Sequence, residues 1–267
     1  MRQIIDIKVP DCWQQLKDNQ LRYVYKLLNG NFSLPQVQTL CLFRWAKMKV
    51  KRREDSLFIV KYDRLRSSES KGKLAWLGRV VTKSCEAKQV FPVSAMHISE
   101  AIQAMSWLGD FPVYPVRLSR IGLHRPLPAD FQGVPFGTFL ALDNLYQGYL
   151  QTRKHDIAKE MAKIMYQSGH IRHLSKVEET NVFYWFTSIK RYFASMFTHF
   201  FQQTEDDSLA PKAVTLAYLQ NNLNTQIRAL TGGDITKEKE VLEMDCWRAL
   251  TELNAKAKDY EELEKIK

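Results

Sequence analysis

Glycine and proline are scarce in this 267-residue chain, at 11 and 9 residues, below the roughly 7% and 5% of average usage. That scarcity excludes a collagen-like or low-complexity chain. With 45% hydrophobic and 25% charged residues the composition is that of a folded globular protein. Cysteine is sparse as well. Cys12, Cys41, Cys85 and Cys246 stand far apart and accompany no histidine pair at zinc-finger spacing, so they read as buried free thiols. Long apolar runs are missing. The most apolar region, Phe183 to Phe201, is interrupted by Lys190, Arg191 and His199, far from the roughly 18 uncharged residues of a membrane span. Met1 to Pro10 alternates apolar and polar residues and lacks the apolar core and cleavage site of an export signal. A cytoplasmic protein with no membrane partner is the expectation.

Motifs of catalysis are also wanting. No Gly-rich phosphate loop, dinucleotide fingerprint or nucleophile elbow occurs in the chain. His170 and His173 are three apart without the intervening glutamate or third ligand of a zinc helix, and read as loop residues. Gly232-Gly233-Asp234 precedes a helical stretch, and Asp234 would repel phosphate there; Asp234 or Thr236 reads as an N-cap instead. No catalytic, cofactor or metal residue is assigned, no cofactor or small-molecule substrate is implied, and a non-enzyme is expected.

What is present is helical grammar with one break. Leu21, Val24, Leu27 and Leu28 follow Asp18 at spacings of three and four, with Asn29-Gly30 as a left-handed stop. Ser33 and Pro35 open a second helix whose buried face is Val37, Leu40, Cys41 and Trp45, and the two should form a hairpin. From Met48 the pattern changes to β-branched and aromatic residues. Lys49 to Lys51 and Leu57 to Tyr62 read as a strand pair, Arg64 to Lys73 as a loop, and Leu74 to Val81 and Ala87 to Val93 as further strands. Helical periodicity returns from Ser94 to Leu108. Prolines and glycines then mark 109–134 as an irregular connector.

Pro135 to Gln151, Ile157 to Tyr166, a long aromatic helix capped by Ser175 and Glu178, Lys212 to Leu230 and Thr236 to Lys265 complete the set. Phe186, Ile189, Phe193, Phe197 and Phe200 line one face of the aromatic helix and read as core. The fold class is mainly α, a multi-helix globular protein with a small inserted antiparallel β-hairpin or sheet at about 49–93. The organisation expected is 1–108, a helical hairpin with inserted basic ribbon and following helix; 109–134, the connector; and 135–267, a helical domain ending in a long helix.

Acidic residues fall short of basic ones by 29 to 39, a net charge of +10. The excess is local: between Arg44 and Lys88 fourteen basic residues face five acidic ones, an excess of nine in one sixth of the chain. Lys49, Lys51, Arg52, Arg53, Lys61, Arg64, Arg66, Lys71, Lys73 and Arg79 interleave with Trp76, Phe58 and Tyr62, a pattern that suits an acidic protein or a nucleic-acid backbone. From Asp234 to Lys267 ten acids outnumber seven bases, and Leu242, Cys246, Ala249, Leu253, Ala257 and Tyr260 are spaced like a coiled-coil seam. The seam reads as a partner interface, and a head-to-tail contact between acidic helix and basic ribbon as its simplest use.

Five strings are carried together: Gly133-Val134-Pro135-Phe136, Tyr146-Gln147-Gly148-Tyr149, Phe183-Tyr184-Trp185-Phe186, Ala229-Leu230-Thr231-Gly232-Gly233-Asp234, and Trp247-Arg248-Ala249-Leu250-Thr251-Glu252-Leu253-Asn254. Over most of its length the chain resembles uncharacterised proteins of prophage-type gene clusters in Bacteroides-like gut bacteria. The resemblance carries no active-site residues. It implies a virion- or tail-assembly context, with the host cytoplasm or the virion as location, although the basic 64–88 region is longer here than in that group. The expectation is a structural or assembly protein working through protein partners or self-assembly, with nucleic-acid binding by the ribbon 44–88 as the alternative.

Overall fold

The computed structural model describes residues 9–62, 89–201 and 216–266. Among them the elements run α1 (Asp18–Leu28), α2 (Leu34–Trp45), β1 (Met48–Glu54), β2 (Leu57–Tyr62), β3 (Gln89–Ser94), α3 (Ala95–Gln103), α4 (Phe136–Thr152), α5 (His155–Met165), α6 (Lys176–Met196), α7 (Leu216–Thr231), α8 (Glu238–Glu243) and α9 (Cys246–Ile266), with short 3-10 turns between some of them. The protein is mainly α-helical with one three-stranded antiparallel sheet. The strand expected at 74–81 and the loop at 64–73 lie outside the described residues. The chain divides into two compact units, one of Met1–Gln15 and Asn31–Asp110, the other of Leu16–Gly30 and Phe111–Lys267.

The first unit builds its core from Val37, Cys41 and Leu42 of α2 with Trp13, Met48, Val60, Met105 and Leu108, and no residue of α3 is fully buried. Ser33 and Gln36 begin α2, the Ser33 N–H donating to Gln36 Oε1 at 2.8 Å. Val37, Cys41 and Leu42 form the buried face, while Leu40 stands 36% exposed. Trp13 meets Trp107 edge to face at 5.6 Å, and its indole N–H donates to the carbonyls of Trp107 and Asp110. Ser94 caps α3 by accepting from the His97 N–H. The helix ends at Gln103, short of Leu108, because a 3-10 turn over Ser106–Gly109 takes over. The buried Gln38 amide donates to the Met105 carbonyl there. A Cβ on Gly109 would stand 2.8 Å from Leu34 Cδ2, so glycine permits this close approach.

In the second unit the aromatic helix α6 is the axis. Trp185, Phe186, Ile189 and Phe193 are fully buried on one face, but the helix ends at Met196, so Phe197, 6% exposed, is its C-cap and the half-buried Phe200 lies beyond the helix expected to carry it. Ser175 and Glu178 close a capping box at its start: Glu178 N–H donates to Ser175 Oγ at 3.3 Å and Ser175 N–H to Glu178 Oε2 at 3.0 Å. α1 packs on α6. It ends without a left-handed residue: Asn29 has φ −80° and its side-chain amide donates to the Tyr25 carbonyl. The stop is therefore a side-chain cap.

The stretch 111–134 has little regular structure, yet it is fixed to the core at several points. The Leu118 N–H donates to Asn181 Oδ1 at 2.9 Å, Asn181 Nδ2 donates to the Tyr166 hydroxyl at 2.8 Å, and that hydroxyl donates to the Leu118 carbonyl at 3.1 Å. All three residues are fully buried. Two indoles complete the attachment, Trp185 Nε1 donating to the Ala129 carbonyl and Trp247 Nε1 to that of Asp130, each at 2.8 Å. The segment is a strap held by these side-chain bonds and by scattered backbone bonds, such as that from the Leu127 N–H to the Met165 carbonyl, rather than by a strand ladder.

The single helix expected from Thr236 to Lys265 is broken. α8 stops at Glu243 and α9 starts at Cys246. Between them Phe136 N–H donates to the Met244 carbonyl and Cys246 N–H to that of Val134, both at 2.8 Å. The Asp245 carboxylate accepts from Gly133 N–H at 2.6 Å and Arg248 N–H at 3.2 Å. Asp245 thus acts as an N-cap inside the apparent heptad run, and pairing to the strap outweighs helix continuation.

Candidate functional site

The basic ribbon is organised by its register. In the sheet order β1-β2-β3, Met48 pairs with Tyr62, Lys49 with Lys61 and Val50 with Val60; then Arg52, Arg53 and Glu54 oppose Ile59, Phe58 and Leu57. Lys51 is the extra residue of a bulge between Val50 and Arg52. A two-residue turn, Asp55-Ser56, closes the hairpin with Asp55 at φ 45°. β2 also pairs antiparallel with β3, Phe58 opposite Val93, Val60 opposite Phe91 and Lys61 opposite Val90. Alternation places Val60, fully buried, on the inner face and Leu57, Ile59 and Lys61 on the other.

Burial stops at the first residue of β1. Met48 is buried, but every residue from Lys49 to Leu57 is exposed, whichever side of the strand it points to. Val50, Leu57 and Val90 are 45%, 40% and 56% exposed. The surface therefore interleaves cations with uncovered aliphatic groups. Neither Lys49 nor Lys51 forms an ion pair among the described residues. Arg52 reaches Glu54 at 2.8 Å, but both are well exposed, and such a pair is worth roughly 0–1 kcal/mol. Arg53 lies over the Phe58 ring at 5.6 Å and donates from Nε to the Asp55 carbonyl. That ring, one of the aromatics interleaved with the ribbon's cations, is half-buried and covered by a guanidinium. Lys49 directly opposite Lys61 is locally unfavourable. Arg64, Arg66, Lys71, Lys73, Trp76 and Arg79 lie outside the described residues.

The seam on the C-terminal helix is differently placed. Cys246 and Ala249 are fully buried and Leu253 is 4% exposed, all within the core of the second unit. Leu242 sits in α8, half-buried, close against Gly137, where an added Cβ would stand 3.2 Å from the Leu242 carbonyl oxygen. These four positions are filled by the chain's own packing and do not form a free interface. Ala257 is half-buried and Tyr260 is 64% exposed, so only the last turns of α9 present a surface.

One polar cluster escaped the sequence reading. Glu179, 4% exposed, accepts from the Tyr149 hydroxyl at 2.9 Å, lies 2.9 Å from His155 Nδ1 and pairs with Lys176 at 3.3 Å. Burial pushes its carboxyl up, but the bonds from His155, Tyr149 and Lys176 outweigh this and hold it below the ordinary value. Burial and the Glu179 bond push the Tyr149 phenol up to about 12. A histidine oriented by a buried carboxylate is a general-base geometry, yet among the described residues no hydroxyl or thiol meets His155. The cluster ties α4, α5 and α6 together.

Other candidates are modest. Among the described residues no three His, Cys, Asp or Glu side chains converge as a metal site, and no helix is long and apolar enough to cross a membrane. Burial raises the Cys246 thiol far above its usual value and the Cys41 thiol to about 12. A cleft of about 300 Å³ lies beside Ile227, Arg228, Thr231 and Ile235. Asp234 caps the following turn by accepting from Thr236 N–H at 3.0 Å. No family model, curated protein or solved structure matches the chain.

Proposed function

We propose that the protein acts by binding rather than by catalysis, as a structural or assembly protein of the prophage-type clusters that its sequence strings resemble. In this reading the basic sheet of the first unit engages an acidic protein partner. The observation that carries it is the exposure of Lys49, Lys51, Arg52 and Arg53 on both sides of one edge strand, beside the bare aliphatic groups of Val50, Leu57 and Val90. Cations alone would serve a phosphate backbone. A surface that alternates cations with aliphatics suits an extended segment of alternating acidic and aliphatic residues, whereas nucleic-acid platforms stack bases on aromatic rings. Among the described residues the outer edge of β1 pairs with no strand and offers a ladder to such a segment, while its bulge and charges discourage self-pairing.

Fluorescence anisotropy tests the reading with two probes, a peptide of alternating glutamate and valine and a single-stranded oligonucleotide of equal charge. The expected result is tighter binding of the peptide, weakening with salt. Tighter binding of the oligonucleotide, with a steep log–log salt slope, would establish the nucleic-acid alternative.

A further inference from the structure

We infer that a second copy of this chain docks its α9 end, at Tyr260 and Leu263, onto a hairpin tip at Leu123, so that molecules join head to tail. The tip belongs to the strap of the second unit. Ile121 and His124 exchange both backbone hydrogen bonds, at 3.0 and 3.3 Å, and Gly122 turns the chain with φ 58°. Ile121 is anchored in the core at 4% exposure, and His124 Nε2 lies 3.2 Å from Ser168 Oγ. Leu123 is thereby held outward at 88% exposure, the most exposed large apolar residue among those described. Single exposed apolar residues are ordinary on a protein surface; Leu123 differs in that Ile121 and His124 on either side of its turn are pinned, so it is presented as a fixed knob.

The knob has a cationic collar. Arg120, Arg125 and Arg172 are exposed and none pairs with a carboxylate among the described residues. Arg172 Nε donates to His170, whose backbone N–H donates to the same Ser168 that meets His124. Nearby acids are engaged: Asp18 accepts from the Ser119 N–H and hydroxyl, and Glu178 pairs with Arg22 at 3.3 Å.

The complement lies on α9 of the same unit. Tyr260 and Leu263 are 64% and 61% exposed, and a spacing of three puts them on one face of α9. Asp259 and Glu264 lie one turn from Leu263 and Tyr260 on that face, Glu264 accepting from the Tyr260 hydroxyl, while the neighbouring cation Lys256 is held by the Ala229 carbonyl. His199, 3.1 Å from Glu261, fixes the helix end. An apolar knob with a cationic collar thus faces, in chemistry, an apolar pair with an acidic collar.

The occupant follows from exposure. Both surfaces belong to one compact unit and both stand bare, so they do not satisfy each other within a molecule. Contact between them requires two copies, and because the surfaces differ the contact is heterologous, producing a ring or an open array. Each junction rests on a few side chains, so association is expected only at high protein concentration. The inference is independent of the sheet: charge reversal on β1 leaves it untouched.

Sedimentation velocity on the full chain up to about 100 µM at low salt tests it. The expected result is a mass that rises with concentration and falls with added salt. Leu123→Asp and Leu263→Arg, both at exposed positions, each weaken association about tenfold or more. Mixed one to one they form dimers and nothing larger, because only one good junction can be built from an intact socket and an intact knob. Unchanged circular dichroism shows that the variants fold. A wild-type chain that stays monomeric, a Leu123→Asp variant that associates like wild type, or mixed variants that fail to pair would each overturn the inference.

Discussion

Replacing Asn181 by alanine should release the strap from the aromatic helix. The side chain satisfies the buried Leu118 N–H and supports the Tyr166 hydroxyl, and all three residues are fully buried. Truncation leaves the Leu118 N–H without a partner, at about 1–3 kcal/mol, and removes the bond to the Tyr166 hydroxyl, worth about 1 kcal/mol. The total is about 2–4 kcal/mol, a large part of an ordinary domain's stability. Tyr166→Phe removes the donor to the Leu118 carbonyl and an acceptor for Asn181. The two changes should therefore be strongly non-additive, with a coupling of about 1–2 kcal/mol. Because the chain has two compact units, the cleanest assay is local: amide hydrogen exchange at Leu118, read beside urea melts. The reasoning predicts that Leu118 loses protection far more than amides in the first unit. Exchange at Leu118 unchanged by Asn181→Ala, or a loss below about 1 kcal/mol, would refute it.

Asp245→Ala removes the cap from α9 and the acceptor for Gly133 N–H, so unfolding of the second unit should ease by about 1–2 kcal/mol in urea melts. The Glu179 carboxyl is held below the ordinary carboxylate value of 4.5. It contributes stability that is present above that value and is lost as pH falls through the lower, folded one; Glu179→Gln should flatten this acid limb in pH-dependent melts. Cys41 and Cys246, buried and with thiols shifted up, should resist a thiol reagent until the chain unfolds. Reaction of either at the rate of an exposed thiol would contradict their placement.

How much was legible follows the range of each interaction. Ser33, Ser94 and Ser175 act within four residues, and they marked the starts of α2, α3 and α6 correctly. The phenylalanine stripe of α6 and the strand pair β1–β2 are periodic and were equally plain. The strap was not. Trp185 and Trp247 reach carbonyls 56 and 117 residues away, and such bonds leave no local pattern. The same distance hid the break between α8 and α9, since heptad spacing is blind to a backbone pairing with Val134 and Phe136. Asp245 was its one visible signal. For the surfaces, net charge located the ribbon, but only burial separates the exposed end of α9 from Cys246, Ala249 and Leu253. The collar of Arg120, Arg125 and Arg172 is split between two segments and vanishes in a nearly neutral average.

The central proposal is that β1 is a binding surface for an acidic, aliphatic-rich protein segment. Its most direct test is equilibrium binding of the glutamate–valine peptide to wild type and to a Lys49→Glu, Lys51→Glu, Arg52→Glu variant, each at low and high salt. All three positions are exposed, so the fold should survive. The account predicts salt-sensitive binding by wild type and a loss of about tenfold to a hundredfold in the variant, from about 0.5–1 kcal/mol per reversed charge. Equal affinity of the two proteins, or binding indifferent to salt, would contradict it.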